Sequence, residues 1–264
     1  MTDPLSFAIQ LAQQAGDLLA AAFRKDERAA TWKDDHSLVT QADVASDQLI
    51  TAAIHQNFPD DLIMSEELQP GYPFRSGSPD RAVWVIDPLD GTTNFHLGLH
   101  YWGVLIARLV DGSPDTAALY FPLLGELYSA QKGRGAFLNH QPLEIDASQY
   151  RKLSFFACCS RTFQRYQVDI PYKTRIFGCA AYTFSSVARN IAILGFEVTP
   201  RVWDIAGAWL LVEEAGGVLD VLDGSPPFPL RPGIDYAHQD FPTLAAASSE
   251  RLTWARPRIT LKKF

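Results

Sequence analysis

Between residues 62 and 138 the chain divides its apolar residues into six short runs: LIM (62–64), AVWVI (82–86), GVLIARLV (103–110), TAALYFP (116–122), GELYSAQ (125–131) and GAFL (135–138). The turn formers between them, DGSPD, GE and KGRG, predict consecutive strands with tight connections, an antiparallel meander. Such a sheet needs apolar partners for its faces, and the flanking sequence supplies them. Asp3 and Pro4 form an N-cap and first helical position, after which Phe7, Leu11, Ala15, Leu18 and Ala22 recur at helical spacing to about Phe23. The charged run RKDER (24–28) then reads as a solvated connection. A second helix is expected from Thr40 to about Asn57, with Ala42, Ala45, Leu49 and Ala53 on one face.

Beyond the meander the order of elements alternates. A strand is expected near LSFFA (153–157), helices over about 182–194 and 204–215, strands in GVLDVL (217–222) and TLAAA (243–247), and a short helix after Ser248. SPPFPLRPG (225–233) is loop by composition. The fold class is therefore α/β (α+β) in layers, with an antiparallel N-terminal sheet and a second, smaller C-terminal sheet. A boundary near residue 150 divides it into an α+β part (1–150) and an α/β part (151–264).

Of the 264 residues, 47% are hydrophobic and 20% charged, an ordinary globular balance, and the net charge is −7. That charge argues against non-specific nucleic-acid binding, which relies on Lys and Arg to neutralise phosphates. Cys158, Cys159 and Cys179 give an odd total without a C-x-x-C pair, so neither a disulfide framework nor a structural zinc site is expected. The N-terminal segment is amphipathic and lacks a basic region, and no apolar run is long enough to span a bilayer. The cytoplasm is the expected compartment.

Chemistry concentrates in VIDPLDGTTNF (85–95). Asp87 precedes a proline and is biased to an extended backbone, Pro88 fixes the turn after it, and Gly91 permits a sharp change of direction. Asp87, the carbonyl of Leu89 and Asp90 can then aim at one point, a set of oxygen donors that suits Mg²⁺. A turn-rich surface loop is the plainer alternative. Further acids lie after an apolar run or before a helical one: Glu66 and Glu67 in MSEEL, and Asp204 in VWDIAGAW. A solvated acidic pair and a helix cap are their respective alternatives.

These three stretches, Glu66-Glu67, Asp87 through Phe95, and Trp203-Asp204-Ile205-Ala206-Gly207-Ala208, resemble the inositol monophosphatase family of metal-dependent, lithium-sensitive sugar phosphatases. The resemblance runs from the N-terminal helices to about residue 224 and implies a layered αβαβα sugar-phosphatase-like fold. It also implies two or three Mg²⁺ ions: Glu66, Asp87 and the Leu89 carbonyl for the first, Asp87, Asp90 and Asp204 for the second, Glu66 again for a weaker third. Asp43 and Thr92 match the pair that orients and helps deprotonate the attacking water, although Asp43 also fits a capping box begun at Thr40. Gly91 and Thr92 match backbone donors to phosphate, and Glu197 a carboxylate that binds polyol hydroxyls. Asp90 and Asp204 flank the substrate as well. Lys33 matches a family lysine only loosely, and the region from Cys158 to Gly178 is shorter than its family counterpart.

Two unit charges 4 Å apart repel by roughly 4 kcal/mol at an effective dielectric of 20, so several carboxylates would reject a phosphate dianion without cations between them. The expected reaction is hydrolysis of a phosphate monoester by a metal-activated water, with inositol monophosphate as substrate. Fructose 1,6-bisphosphate, alone or as a second substrate, and 3′-phosphoadenosine 5′-phosphate are alternatives. The partners are then small sugar or polyol phosphates, and a homodimer is expected from the family resemblance. DPLDGT differs from the DxDGT of haloacid-dehalogenase-like enzymes, because its acids stand three apart. His96 and His100 have the spacing of a zinc pair, but Gly98 between them weakens a helix. A non-catalytic module with a structural Ca²⁺ site is the non-enzyme alternative, and it lacks an EF-hand frame.

Overall fold

The computed structural model describes residues 2–32, 38–68, 82–146, 154–231 and 234–262. Helix α1 (Pro4–Arg24) begins as expected, with the Asp3 side chain accepting from Ser6 N and Pro4 at the first position. A small antiparallel pair, β1 (Ala30–Trp32) and β2 (Leu38–Thr40), leads into α2 (Gln41–Asn57). Then come β3 (Leu62–Ser65), β4 (Val83–Asp90), a short α3 (Thr92–Leu97), β5 (Gly103–Val110), β6 (Ser113–Phe121), β7 (Glu126–Gln131), β8 (Gly135–Leu138) and β9 (Gln141–Leu143). The second half contains β10 (Phe155–Cys158), α4 (Thr162–Arg165), β11 (Tyr166–Val168), β12 (Thr174–Arg175), α5 (Ala180–Ala188) and β13 (Ala192–Glu197). It ends with α6 (Val202–Glu214), β14 (Val218–Val221), β15 (Thr243–Ala246), α7 (Ser249–Ala255) and β16 (Ile259–Leu261).

Strands β3 to β9 form one seven-stranded sheet in sequence order, and β12-β10-β13-β15-β14 form the smaller five-stranded sheet. The meander is antiparallel from β4 onward, but β3 lies parallel to β4, with Ser65 opposite Ile86. The run from Ser65 to Val83 is too long for a hairpin, and only a crossover connection allows parallel pairing. The short β9 has no clear signal in the sequence, because QPL has little strand character.

Successive residues of β4 serve two cores. Trp84 and Ile86 join Leu11, Ala15, Leu19 and Ile50 of α1 and α2, whereas Val83 and Val85 join Phe184, Ile205 and Leu211 of α5 and α6. Both faces of the strand are covered, so its sequence reads as a continuous apolar run rather than an alternation. A third core, built on Phe156, Leu194 and Phe196, lies beneath α7 and includes Ala255. The layers are therefore αβαβα. None of the helices among the described residues is long and apolar enough to cross a membrane.

Two helices depart from expectation. The helix predicted over 182–194 stops at Ala188, and Ala192–Glu197 is instead the central strand β13 of the smaller sheet. Asn190 with φ of 57° breaks the helix, and the AILGFE segment beyond it is buried on both sides. On α2 the buried stripe is Ala42, Ser46, Ile50 and Ile54 with Asp43, Asp47 and Thr51, while Ala45, Leu49 and Ala53 are not fully covered. The apolar pattern misplaces this face because several of its inward positions are polar. The boundary expected near residue 150 and Lys33 both lie outside the described residues.

Leu119, fully buried between the large sheet and α6, tests this layering. Leu119→Ala should cost about 2–5 kcal/mol by urea denaturation, because removal of a buried side chain loses transfer energy and leaves a cavity. A loss below about 1 kcal/mol would contradict the close packing of this layer.

Candidate active site

The acidic motif lies at the end of β4, where two sequence constraints combine. Pro88 has no N–H to give to the ladder, and one extra residue sits between the pairs Asp87↔Leu105 and Asp90↔Gly103. This bulge carries the strand on to Asp90 rather than ending it at Pro88, and bulges of this kind re-aim side chains. The chain then turns at Gly91, with φ of 90°; a Cβ there would come within 2.8 Å of the Tyr101 carbonyl oxygen. Helix α3 starts immediately afterwards, so its first-turn N–H groups lack carbonyl partners within the helix.

Asp87 and Asp90 are buried, at 1% and 7% exposure. Leu89 N donates to Asp87 Oδ1 at 2.9 Å. Asp90 receives Ala180 N at 3.2 Å, Ala181 N at 2.7 Å and the Cys179 thiol at 3.0 Å, all from the start of α5. Asp204 is the third residue of α6 rather than a residue preceding it, and it accepts from Arg201 N at 2.7 Å. Glu66 lies just after β3, and its N–H donates to the Ile86 carbonyl at 3.2 Å.

The four acids share one electrostatic field. Burial lifts the Asp87 carboxyl well above the usual range, and the charges of Glu66, Asp90 and Asp204 lift it further. Asp204 rises for the same reasons, burial first and then Asp90 and Glu66, and it is within hydrogen-bonding reach of Asp87. Asp90 is raised by burial against its three donors. Among the described residues no group of three His, Cys, Asp or Glu side chains forms a finished metal cage. The donor set is nonetheless composed of oxygen, buried and mutually repulsive, which fits a hard divalent cation.

Asp43 and Thr92 are also brought together. The Thr92 hydroxyl lies 3.0 Å from Asp43 Oδ1 and 3.0 Å from the Leu89 carbonyl, so its single proton serves either acceptor. Thr40 N donates to Asp43 Oδ2 at 2.9 Å, which completes the capping box of α2. Asp43 thus caps α2 through Oδ2 and meets Thr92 through Oδ1. Burial raises the Asp43 carboxyl.

Glu197, at the end of β13, lies deeper on the side of the smaller sheet, where the Thr183 hydroxyl donates to it at 2.6 Å. Burial, with Asp90 as a repulsive neighbour, pushes it up to about 8. His96 and His100 do not pair. Helix α3 ends at Leu97, His96 Nδ1 contacts the Arg28 carbonyl at 2.7 Å, and the His100 ring packs against Phe23.

Several residues that complete this geometry are not identified by sequence reasoning. On α2, Ser46 donates to the Pro88 carbonyl at 3.0 Å, and Asp47 receives the Ser65 hydroxyl and Leu68 N. Asn94 Nδ2 donates to the carbonyls of Tyr101 at 2.6 Å and Phe177 at 2.7 Å. A signal is present for α2, since polar residues at i, i+3 and i+4 mark a face that must find partners once buried.

The chain matches the Inositol monophosphatase family across residues 1–253. It is 34% identical to the histidinol-phosphatase of Chlorobaculum parvum over 229 residues, which cover 82% of this chain and 85% of that protein. It is 33% identical to Nus factor SuhB of Pasteurella multocida over 241 residues, with coverage of 85% and 87%. Inositol monophosphatase 1 of Sus scrofa is 29% identical over 243 residues, covering 86% and 87%. The solved inositol monophosphatase of Anabaena superposes with a TM-score of 0.73 at 25% identity, covering 96% of this chain and 93% of that one. Layered fold and relatives together define a phosphoric monoester hydrolase. The chain belongs to the inositol monophosphatase family.

The raised acids make a prediction for the metal-free protein. An acid whose native pKa lies above its unfolded value adds stability that is complete below the unfolded pKa, about 4 for a carboxyl. That contribution is lost as pH rises through the native value. In EDTA the unfolding free energy should fall from about pH 4 toward pH 8, the value about which Glu197 titrates. Glu197→Gln should flatten the upper part of this decline in urea denaturation measured at successive pH values. An unchanged profile in that variant would refute the assignment.

Proposed function

We propose that the protein hydrolyses polyol phosphate monoesters, with inositol monophosphate as the leading substrate, and that Glu66, Asp87, the Leu89 carbonyl, Asp90 and Asp204 hold Mg²⁺. The observation that carries this reading is the buried, all-oxygen cluster at the end of β4, in which Asp87 is raised by three other acids. The family is generally Mg²⁺-dependent, and two or three ions fit five donors of this kind. When bound, Mg²⁺ supplies the positive charge that a phosphate dianion requires and lowers the pKa of the attacking water.

The chain's own groups divide the remaining work. Asp43 fixes the Thr92 hydroxyl through Oδ1, so that hydroxyl can orient the water and take its proton while passing its own to the Asp43 carboxylate, whose raised pKa suits a base. The N–H groups of Gly91 and Thr92 donate to phosphate oxygens at the start of α3. Glu197 takes a hydroxyl of the leaving alcohol, and Asp90 and Asp204 border the same space. No covalent intermediate is required, because the attacking water is itself the nucleophile.

A second reading concerns the substrate alone. The relative at 34% identity is named a histidinol-phosphatase, and an acidic group at Glu197 can receive either a polyol hydroxyl or an ammonium. Phosphate release from inositol 1-phosphate, histidinol phosphate, fructose 1,6-bisphosphate and 3′-phosphoadenosine 5′-phosphate separates the readings. Each should be measured with Mg²⁺, with EDTA, and with Mg²⁺ plus millimolar Li⁺. Preference for the inositol ester, loss in EDTA and inhibition by Li⁺ are expected.

Asp87→Asn and Asp204→Asn should each reduce release to background while circular dichroism stays unchanged. Near-normal turnover in either purified variant would overturn the shared metal centre.

A further inference from the structure

We propose that Asp47 is a positioning residue that fixes the turn carrying Glu66 and thereby sets the metal affinity of the site. This rests on the reading of Glu66 as a metal ligand.

Asp47 lies one helical turn beyond Asp43 on the buried face of α2 and is fully covered, as is Ser65. Burying a carboxyl group is costly unless it finds donors. Asp47 finds them 18 and 21 residues away: a single oxygen, Oδ2, takes the Ser65 hydroxyl and Leu68 N, the latter at 3.2 Å. These two donors bracket Glu66 and Glu67. On the opposite side, Glu66 N donates to the Ile86 carbonyl, one residue before Asp87, and Ser65 is in register with Ile86. The backbone of Glu66 is thus held between α2 and β4.

That placement has a consequence for Asp87. Glu66 is hydrogen-bonded to Ile86, the residue immediately before Asp87, so a shift of the turn changes the separation of the two acids. The same face of α2 grips Thr92 through Asp43 and the Pro88 carbonyl through Ser46. Three segments bearing site residues are therefore registered against one helix, and Asp47 serves the segment that contributes Glu66. Outer groups that orient metal ligands typically change affinity by about 10- to 100-fold when removed.

The test uses the full chain and Mn²⁺ as the probe, titrated calorimetrically without substrate into wild type, Asp47→Asn, Asp47→Ala and Ser65→Ala. Thermal unfolding in EDTA and phosphate release across a Mg²⁺ series accompany it. A folded Asp47→Ala protein is expected to bind Mn²⁺ about 10- to 100-fold more weakly, with lost activity recovered at high Mg²⁺. Ser65→Ala, which removes the Ser65 donor but leaves Leu68 N, should shift in the same direction by less, and it keeps the proposal testable if Asp47→Ala does not fold. Unchanged Mn²⁺ affinity in the folded variants, with or without a lowered melting temperature, assigns Asp47 a purely structural role and overturns the proposal. Wild-type protein that binds no Mn²⁺ overturns the metal reading and this inference with it. Mn²⁺ binding by a wild type that hydrolyses none of the esters overturns the substrate reading alone.

Discussion

Mutual repulsion among Glu66, Asp87, Asp90 and Asp204 is the constraint to which the neighbouring structure responds. A single pair of unit charges 4 Å apart costs roughly 4 kcal/mol at an effective dielectric of 20, and the whole stability of a domain is about 5–15 kcal/mol. Four ionised groups without compensation would exhaust it. The chain offsets part of the cost with hydrogen bonds: Leu89 N to Asp87, Arg201 N to Asp204, and Ala180 N, Ala181 N and the Cys179 thiol to Asp90. The remainder is expressed as raised proton affinity, the same free energy that a divalent cation would draw on when displacing those protons.

The bonds that offset this cost also aim the side chains. Asp43 caps α2 through Oδ2 and meets Thr92 through Oδ1. Asp204 closes the first turn of α6 through Oδ2, and Asp87 folds one oxygen back onto Leu89 N. In each case a backbone N–H fixes the carboxyl plane and leaves the other oxygen directed by that choice. Capping and chemistry are therefore not competing explanations of these acids, because the cap is what gives the second oxygen a defined direction.

This dual use explains which residues are legible in the sequence. Asp87, Asp90, Gly91 and Thr92 are legible because a β-branched run, a proline and a glycine at fixed spacing leave few backbone paths. The caps at Asp3 and Thr40 are legible for the same local reason. Ser46 and Asp47 show only as a polar face on α2 whose partners, 42 and 18 residues away, the sequence does not name, and Asn94 reaches a carbonyl 83 residues away. Ala192–Leu194, the first half of β13, is misread as the end of a helix because apolar residues buried on every side carry neither a helical nor a strand period. The error matters, for it places Glu197 after a helix rather than at the end of a central strand.

The placement of that strand shows why two sheets are needed. Asp87 and Asp90 end β4 of the larger sheet, while Glu197 ends β13 of the smaller one, and α5 and α6 pack between them. The α5 terminus grips Asp90, and the first turn of α6 presents Asp204. Asn94 ties the larger sheet to the segment before α5 through the Tyr101 and Phe177 carbonyls. Gly178 comes next at φ of 70°, where a Cβ would come within 3.0 Å of the Asn94 carboxamide oxygen. Acids from both sheets thus converge only when the intervening helical layer is packed, so the electrostatic cost of gathering them is offset by apolar burial in that layer rather than by local bonds alone.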